Sequence, residues 1–188
     1  MKISIVGSGY VGLVTGICFA KFGHKIIFVD VDISKINQIN NGICPIFEEG
    51  LDELLKKHKN NISATQSYSN AINNSDVSFI CVNTPSNTHG INLKNIEQAS
   101  IETAKVLKNK NTWHLIVIKS TILPGTTNDF ILPLLEKHSN KKVVKDFGLA
   151  NNPEFISEGN ALNNFLKPDR IIIGTYEKKS NELLKQIY

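Results

Sequence analysis

Residues 7 to 12 read Gly7-Ser8-Gly9-Tyr10-Val11-Gly12, three glycines in the pattern G-x-G-x-x-G. A short apolar run, Lys2-Ile3-Ser4-Ile5-Val6, precedes them, and an apolar stretch from Leu13 to Phe22 follows. Gly23-His24 then makes a turn into a second apolar run, Lys25-Ile26-Ile27-Phe28-Val29, which Asp30 closes. Strand, glycine turn, helix, strand and acid in that order form a βαβ unit built to hold a dinucleotide. Gly7 lets the chain leave the strand sharply, Gly9 removes a Cβ that would block a pyrophosphate, and Gly12 lets helix and strand pack closely. The N–H groups and positive dipole end of the helix face the phosphates. Asp30 accepts from ribose hydroxyls and repels a 2′-phosphate, which favours NAD over NADP. Lys35 tempers that preference, because its ammonium can pair with a phosphate or with the Asp30 carboxylate itself.

The rest of the chain alternates in the same way. Asp32 or Ser34 can cap a helix through Ile36 and Ile39 that ends at Asn41-Gly42. A loop containing Pro45 leads to a helix over 48–58, with acids early and lysines late. Ile62 to Thr65 reads as a third strand, and Tyr68 to Asn73 as a polar helix. Val77 to Val82 is a continuous apolar run, as a strand covered on both faces requires, and it stops at Asn83-Thr84-Pro85. A strand end at this place in a doubly wound sheet opens on the ligand crevice, so Thr84 is either a cofactor contact or a loop cap. Ser86 to Ile91 reads as a polar, mobile loop, and Leu93 to Lys108 as an amphipathic helix. His114 to Ile118 is a further strand that ends in Lys119-Ser120-Thr121, and Pro124-Gly125-Thr126 starts the next helix. Two strands opening into hydroxyl-bearing loops point to one shared site. Asp129 to His138 reads as helix, Phe147 to Ala150 and Ile171 to Gly174 as strands, and Ser180 to Tyr188 as a helix. The expected fold is α/β, a doubly wound parallel sheet of the Rossmann type with additional strands, forming the N-terminal part of a larger two-domain enzyme.

Composition narrows the partners. Apolar residues make up 41% and charged residues 20%, as in an ordinary soluble globular protein. The net charge of +4 comes from lysines and the single arginine, Arg170, scattered without an aromatic and basic cluster. That is a solvated surface rather than a nucleic-acid footprint, and it suits an anionic small molecule equally well. Cys18, Cys44 and Cys81 form no C-x-x-C pair and no metal-spaced set with His24, His58, His89, His114 or His138, so no metal is expected. Glycines interrupt the N-terminal apolar run too often for a signal peptide, and no window approaches a membrane span. A cytoplasmic, reducing compartment is the expectation.

Four ordered stretches now carry a resemblance. They are Gly7 to Leu13; Asn83-Thr84-Pro85; Lys119-Ser120-Thr121-Ile122-Leu123-Pro124-Gly125-Thr126; and Asn152-Pro153-Glu154-Phe155-Ile156-Ser157-Glu158-Gly159 running on to Pro168-Asp169-Arg170-Ile171-Ile172-Ile173-Gly174. Together they resemble the nucleotide-sugar dehydrogenases, the UDP-glucose 6-dehydrogenases most of all, through essentially the whole chain. The resemblance implies oxidation of a sugar C6 alcohol to a carboxylate by two hydride transfers to NAD, by way of a thioester on a cysteine. It implies a cofactor set of Gly7, Gly9, Tyr10, Val11, Gly12, Asp30, Lys35, Thr84, Pro85, Thr121 and Glu158. It implies that Glu154, Phe155, Ile156, Ser157 and Glu158 meet a UDP-sugar, and that Thr121, Glu154 and Glu158 serve the chemistry by positioning water. Two carboxylates four residues apart beside a hydroxyl can polarise water, as thioester hydrolysis needs. Read from the residues alone, the same two acids are helix-capping groups ahead of Gly159-Asn160-Ala161-Leu162.

Two departures qualify the likeness. Ser157 stands where the family usually has arginine, and the family's nucleophilic cysteine lies in a glycine-rich motif of a second domain. None of the three cysteines here stands in that motif. Residues 1–188 are thus expected to be the NAD-binding domain, inactive alone, with the central helix and sugar-nucleotide domain outside this chain and a homodimer when full length. Dehydrogenases of UDP-N-acetylmannosamine or GDP-mannose remain alternatives, as does a non-catalytic NAD-binding module.

Overall fold

The computed structural model describes residues 1–88 and 90–188; His89 lies outside the described residues. Lys2–Val6 (β1), Lys25–Val29 (β2), Ile62–Thr65 (β3), Val77–Ile80 (β4), Leu115–Ile118 (β7), Gly148–Asn151 (β8) and Gly174–Thr175 (β9) form one sheet. A separate antiparallel pair, Ser86–Asn87 (β5) and Gly90–Ile91 (β6), lies between β4 and β7 in the chain. The large sheet runs β3-β2-β1-β4-β7-β8-β9. All pairings are parallel except that of β9, which lies antiparallel on β8. Its first six strands therefore follow the doubly wound dinucleotide order, with the chain reversing direction across the sheet between β1 and β4.

Helices cover both faces because the central strands are apolar on both. Ile3, Ile5, Val77, Phe79, Leu115 and Val117 pack into one core with Tyr10–Lys21 (α1), Ile33–Asn40 (α2), Leu51–Lys57 (α3), Ala161–Leu166 (α7) and Lys178–Ile187 (α8). Val6, Ile80, Ile116 and Ile118 point the other way, onto Tyr68–Asn73 (α4), Lys94–Asn109 (α5) and Leu132–Ser139 (α6). Alternate residues of one strand thus serve opposite cores, the period-two rule applied to a fully covered sheet.

Local chemistry fixes several boundaries. Asp32 caps α2, its carboxylate accepting from Ser34 N and Lys35 N. The helix expected from Asp129 is instead preceded by a π turn over Thr127–Ile131, and Pro133, with no N–H to donate, falls at the start of α6. The strand expected over Ile171 to Gly174 is corrected to Gly174–Thr175. The Ile172 carbonyl accepts from the Asn152 side-chain amide at 2.8 Å, so a side chain takes the place of a ladder bond there.

Candidate functional site

The glycine turn is tied to Asp30 at the end of β2. Gly7 adopts φ +96°, and an added Cβ there would sit 2.9 Å from the Cys81 carbonyl. A Cβ on Gly9 would meet Asn83 Oδ1 at 3.1 Å. A side chain at Gly7 would thus run into backbone, and one at Gly9 would crowd the Asn83 side chain. Gly9 N-caps α1 without a side-chain cap, and the first helical bond runs from Leu13 N to Gly9 O, so the first-turn amides are left for an acceptor outside the helix.

Asp30 meets this turn through Ser8. Its Oδ2 accepts from Ser8 N at 2.7 Å and from Ser8 Oγ at 2.6 Å, while Oδ1 accepts from Asp32 N at 3.0 Å. Burial alone would raise its pKa, but the Ser8 hydroxyl, the Asp32 and Ser8 amides and the charge of Lys35 together hold it below the usual carboxylate value. Asp30 is thus an ionised acceptor fixed at the end of β2. It lines a cleft of about 400 Å³ with Gly7, Gly9, Lys35, Tyr68, Asn83, Asn95 and Gln98. Of the residues expected at the cofactor, Gly7, Gly9, Asp30 and Lys35 come together here.

Thr84 proves to be a tie between strand ends. Its hydroxyl donates to the Thr121 carbonyl at 2.7 Å, joining the loop after β4 to the loop after β7. Ser120 strengthens that junction by donating to Val82 O at 2.7 Å. The Thr121 side chain and Pro85 are exposed at this edge.

Glu154 lies in a second cleft of about 370 Å³, which Lys119, Asn152, Phe155, Arg170 and Tyr188 also line. Its Oε2 is 2.7 Å from Lys119 Nζ, and the two side chains are 13% and 2% exposed. Lys119 Nζ also donates to Asn152 Oδ1 and to the Tyr188 hydroxyl, each at 3.2 Å. Burial disfavours the ammonium, yet Tyr188, Glu154 and Cys81 around it raise the Lys119 pKa above the usual lysine value. Phe155 is exposed and carries the Arg170 guanidinium 5.1 Å from its ring centroid. Ile156 packs on the core, and Ser157 is bound to Asn164 Oδ1 through both its amide and its hydroxyl. Glu158 is exposed, so the two acids expected to share one water stand in different environments.

Sequence reasoning passed over Glu48. This buried carboxylate accepts from the Tyr10 hydroxyl, from Gly159 N at 3.0 Å, from Ala161 N at 2.8 Å and from Leu162 N at 3.3 Å. The Tyr10 bond lowers its pKa most, and each of the three amides adds to that; burial and then Glu48 raise that of Tyr10. No local pattern marks it, because its partners lie in other elements. Burial pushes the thiols of Cys18 and Cys81 up to about 12 and that of Cys44 upward, so all three are poor nucleophiles. Among the described residues, no group of three His, Cys, Asp or Glu side chains is placed to hold a metal, and no helix is long and apolar enough to cross a membrane.

A doubly wound sheet whose glycine turn faces an acid at the end of β2 defines a dinucleotide-binding domain of the Rossmann type. The chain belongs to the UDP-glucose/GDP-mannose dehydrogenase family, matching its NAD-binding domain over residues 1–188. NAD is accordingly its cofactor, and the glycine turn with its fixed acid fits that group. Among curated relatives, the GDP-mannose 6-dehydrogenase of Pseudomonas syringae pv. tomato is 44% identical across the whole chain, which covers 44% of that protein. The UDP-glucose 6-dehydrogenase of Rickettsia prowazekii is also 44% identical across the whole chain, covering 42% of its length. A ternary complex of GDP-mannose dehydrogenase from Pseudomonas aeruginosa superposes with TM-score 0.98 at 42% identity, covering all of this chain and 44% of that one. A UDP-glucose dehydrogenase from Pyrobaculum islandicum gives TM-score 0.93 at 34% identity, covering all of this chain and 43% of that one. The chain thus spans less than half the length of these relatives.

Proposed function

We propose that this chain is the NAD-binding portion of a nucleotide-sugar 6-dehydrogenase, with UDP-glucose as the substrate read from the sequence and UDP-glucuronate as product. Bound NAD supplies the hydride acceptor. The observation that carries the reading is Asp30, an ionised carboxylate fixed by Ser8 against a glycine turn in which a Cβ on Gly7 or Gly12 would run into backbone. In this reading Gly7, Gly9, Tyr10, Val11 and Gly12 frame the pyrophosphate and Asp30 takes the ribose hydroxyls. Lys35, Thr84, Pro85, Thr121 and Glu158 complete the cofactor side. Glu154 to Glu158 form the substrate side, where Thr121, Glu154 and Glu158 position water. Lys119 keeps Glu154 in place with its second oxygen bonded to Phe155 N at 2.8 Å. A sugar-nucleotide domain supplied outside residues 1–188 contributes the nucleophile, and the full-length protein works as a homodimer.

GDP-mannose is the second reading, favoured by the TM-score of 0.98 to the Pseudomonas aeruginosa dehydrogenase. NADH formation by the full-length protein on UDP-glucose, GDP-mannose and UDP-N-acetylmannosamine decides among them. The expected result is two NADH per sugar on one substrate, with residues 1–188 alone binding NADH and giving no steady turnover. Steady NADH production by residues 1–188 alone would remove the need for a second domain.

A further inference from the structure

Tyr10 has two ends with different duties. Its backbone belongs to the glycine turn, and its phenol reaches Glu48 and accepts from Gly159 N at 3.0 Å. Glu48 in turn holds Gly159, Ala161 and Leu162 by their amides. Those three residues follow directly on the segment Glu154 to Glu158. Asn160, at the start of α7, provides no side-chain cap, so a carboxylate from a distant loop does that work. Glu48 is 5% exposed, so the carboxylate itself has little contact with water. The loop that carries it is braced where Gly50 meets Leu162 and where Leu51 and Leu55 of α3 are buried.

We infer that Glu48 is a positioning residue that locks the 154–158 segment to the glycine turn through Tyr10, so that occupation of the cradle orders that segment. The inference rests on the placement of NAD over Gly7 to Gly12 proposed above. Ionisation matters to the device: a carboxylate can accept from all four donors at once, whereas an amide in its place turns one acceptor into a donor. Any shift of the Tyr10 backbone on cofactor binding is carried by one ring and one carboxylate to the amides beside Glu158.

Amide hydrogen exchange on the full-length protein, with and without saturating NADH, tests this. In the wild type, NADH slows exchange at Gly9 to Leu13 and also slows Gly159, Ala161 and Leu162 by about tenfold. In Glu48→Gln the second response disappears while the first persists. Tyr10→Phe leaves the cap on α7 in place and removes only the ring hydroxyl, so it decides the matter if Glu48→Gln fails to fold. It too keeps the response at Gly9 to Leu13 and loses the one at Gly159 to Leu162. Persistence of the distal slowing in Tyr10→Phe overturns the inference, as does its absence in the wild type. Loss of slowing at Gly9 to Leu13 in the wild type would instead sink the placement of NAD.

Discussion

Gly12 has no room for one more carbon. A Cβ at this position would lie 2.0 Å from the Gly7 carbonyl oxygen, a backbone atom that cannot swing aside as a side chain would. Gly7 is in turn packed on Cys81 and Val82, so the crowding has to be relieved by moving the glycine turn off β4 or α1 off β1. Gly12→Ala therefore costs about 1–3 kcal/mol or more as overpacking. For a chain of this size that is a fall of roughly 2–4 °C in Tm for each kcal/mol. NADH titration of the same variant shows a larger effect than the melt, because the displaced carbonyl belongs to the cradle itself. Normal NADH affinity in a destabilised Gly12→Ala would mean that the turn can shift without harm to the site. The three glycines were legible in the sequence because their spacing is a local pattern, whereas the contacts that crowd them at Cys81, Val82 and Asn83 come from just past the end of β4.

Strand ends are joined here by pairs that no single element reveals. Lys119 closes β7 and Glu154 follows β8, and their side chains meet at 2.7 Å with almost no solvent. A buried pair of this kind is costly to break and cheap to replace as a whole. Lys119→Met strands a carboxylate and costs about 3–5 kcal/mol, whereas Lys119→Met with Glu154→Met recovers most of that loss. Urea unfolding of the wild type, both single variants and the double variant measures the coupling, and additive losses would show that the two side chains do not act as a pair. Sequence periodicity found β7 and placed Lys119 at its end, since Leu115–Ile118 is an unbroken apolar run with all four residues buried. It found neither Lys119's partner nor Glu48, because these contacts depend on the sheet order, which brings together loops far apart in the chain. The apolar run Ile171 to Ile173 misled for the opposite reason: its pattern is that of a strand, but the Asn152 amide binds the Ile172 carbonyl and Ile171 and Ile172 stay exposed.

At the scale of the whole molecule, a chain of uncharged groups joins the neighbouring strands β1 and β4 to the residue that precedes β7. Ser75 Oγ donates to Ser4 Oγ at 3.1 Å, Ser4 Oγ and Ser78 Oγ are 2.5 Å apart, and Ser78 Oγ lies 2.7 Å from His114 Nε2. His114 is fully buried, and burial first, then the charges of Lys110 and Lys141, lowers its pKa to about 3. The folded form therefore holds the imidazole neutral, while the unfolded chain protonates it near 6.5. Stability from this group is present above pH 6.5 and is lost as pH falls from there towards 3. His24, also lowered by burial, acts in the same direction. Asp30 and Glu48, whose folded values are lowered too, add their losses only below the carboxylate range of about 4. Acid should thus weaken the fold well before any carboxylate titrates, by roughly 2 kcal/mol between pH 7 and pH 5 from His114 alone. Urea unfolding at intervals over that range measures the slope, and His114→Asn should flatten most of it even though the variant starts less stable. A wild-type stability that stays level down to pH 4.5 would mean that water or a rotated side chain relieves the imidazole on protonation, and that the chain of serines is not sealed.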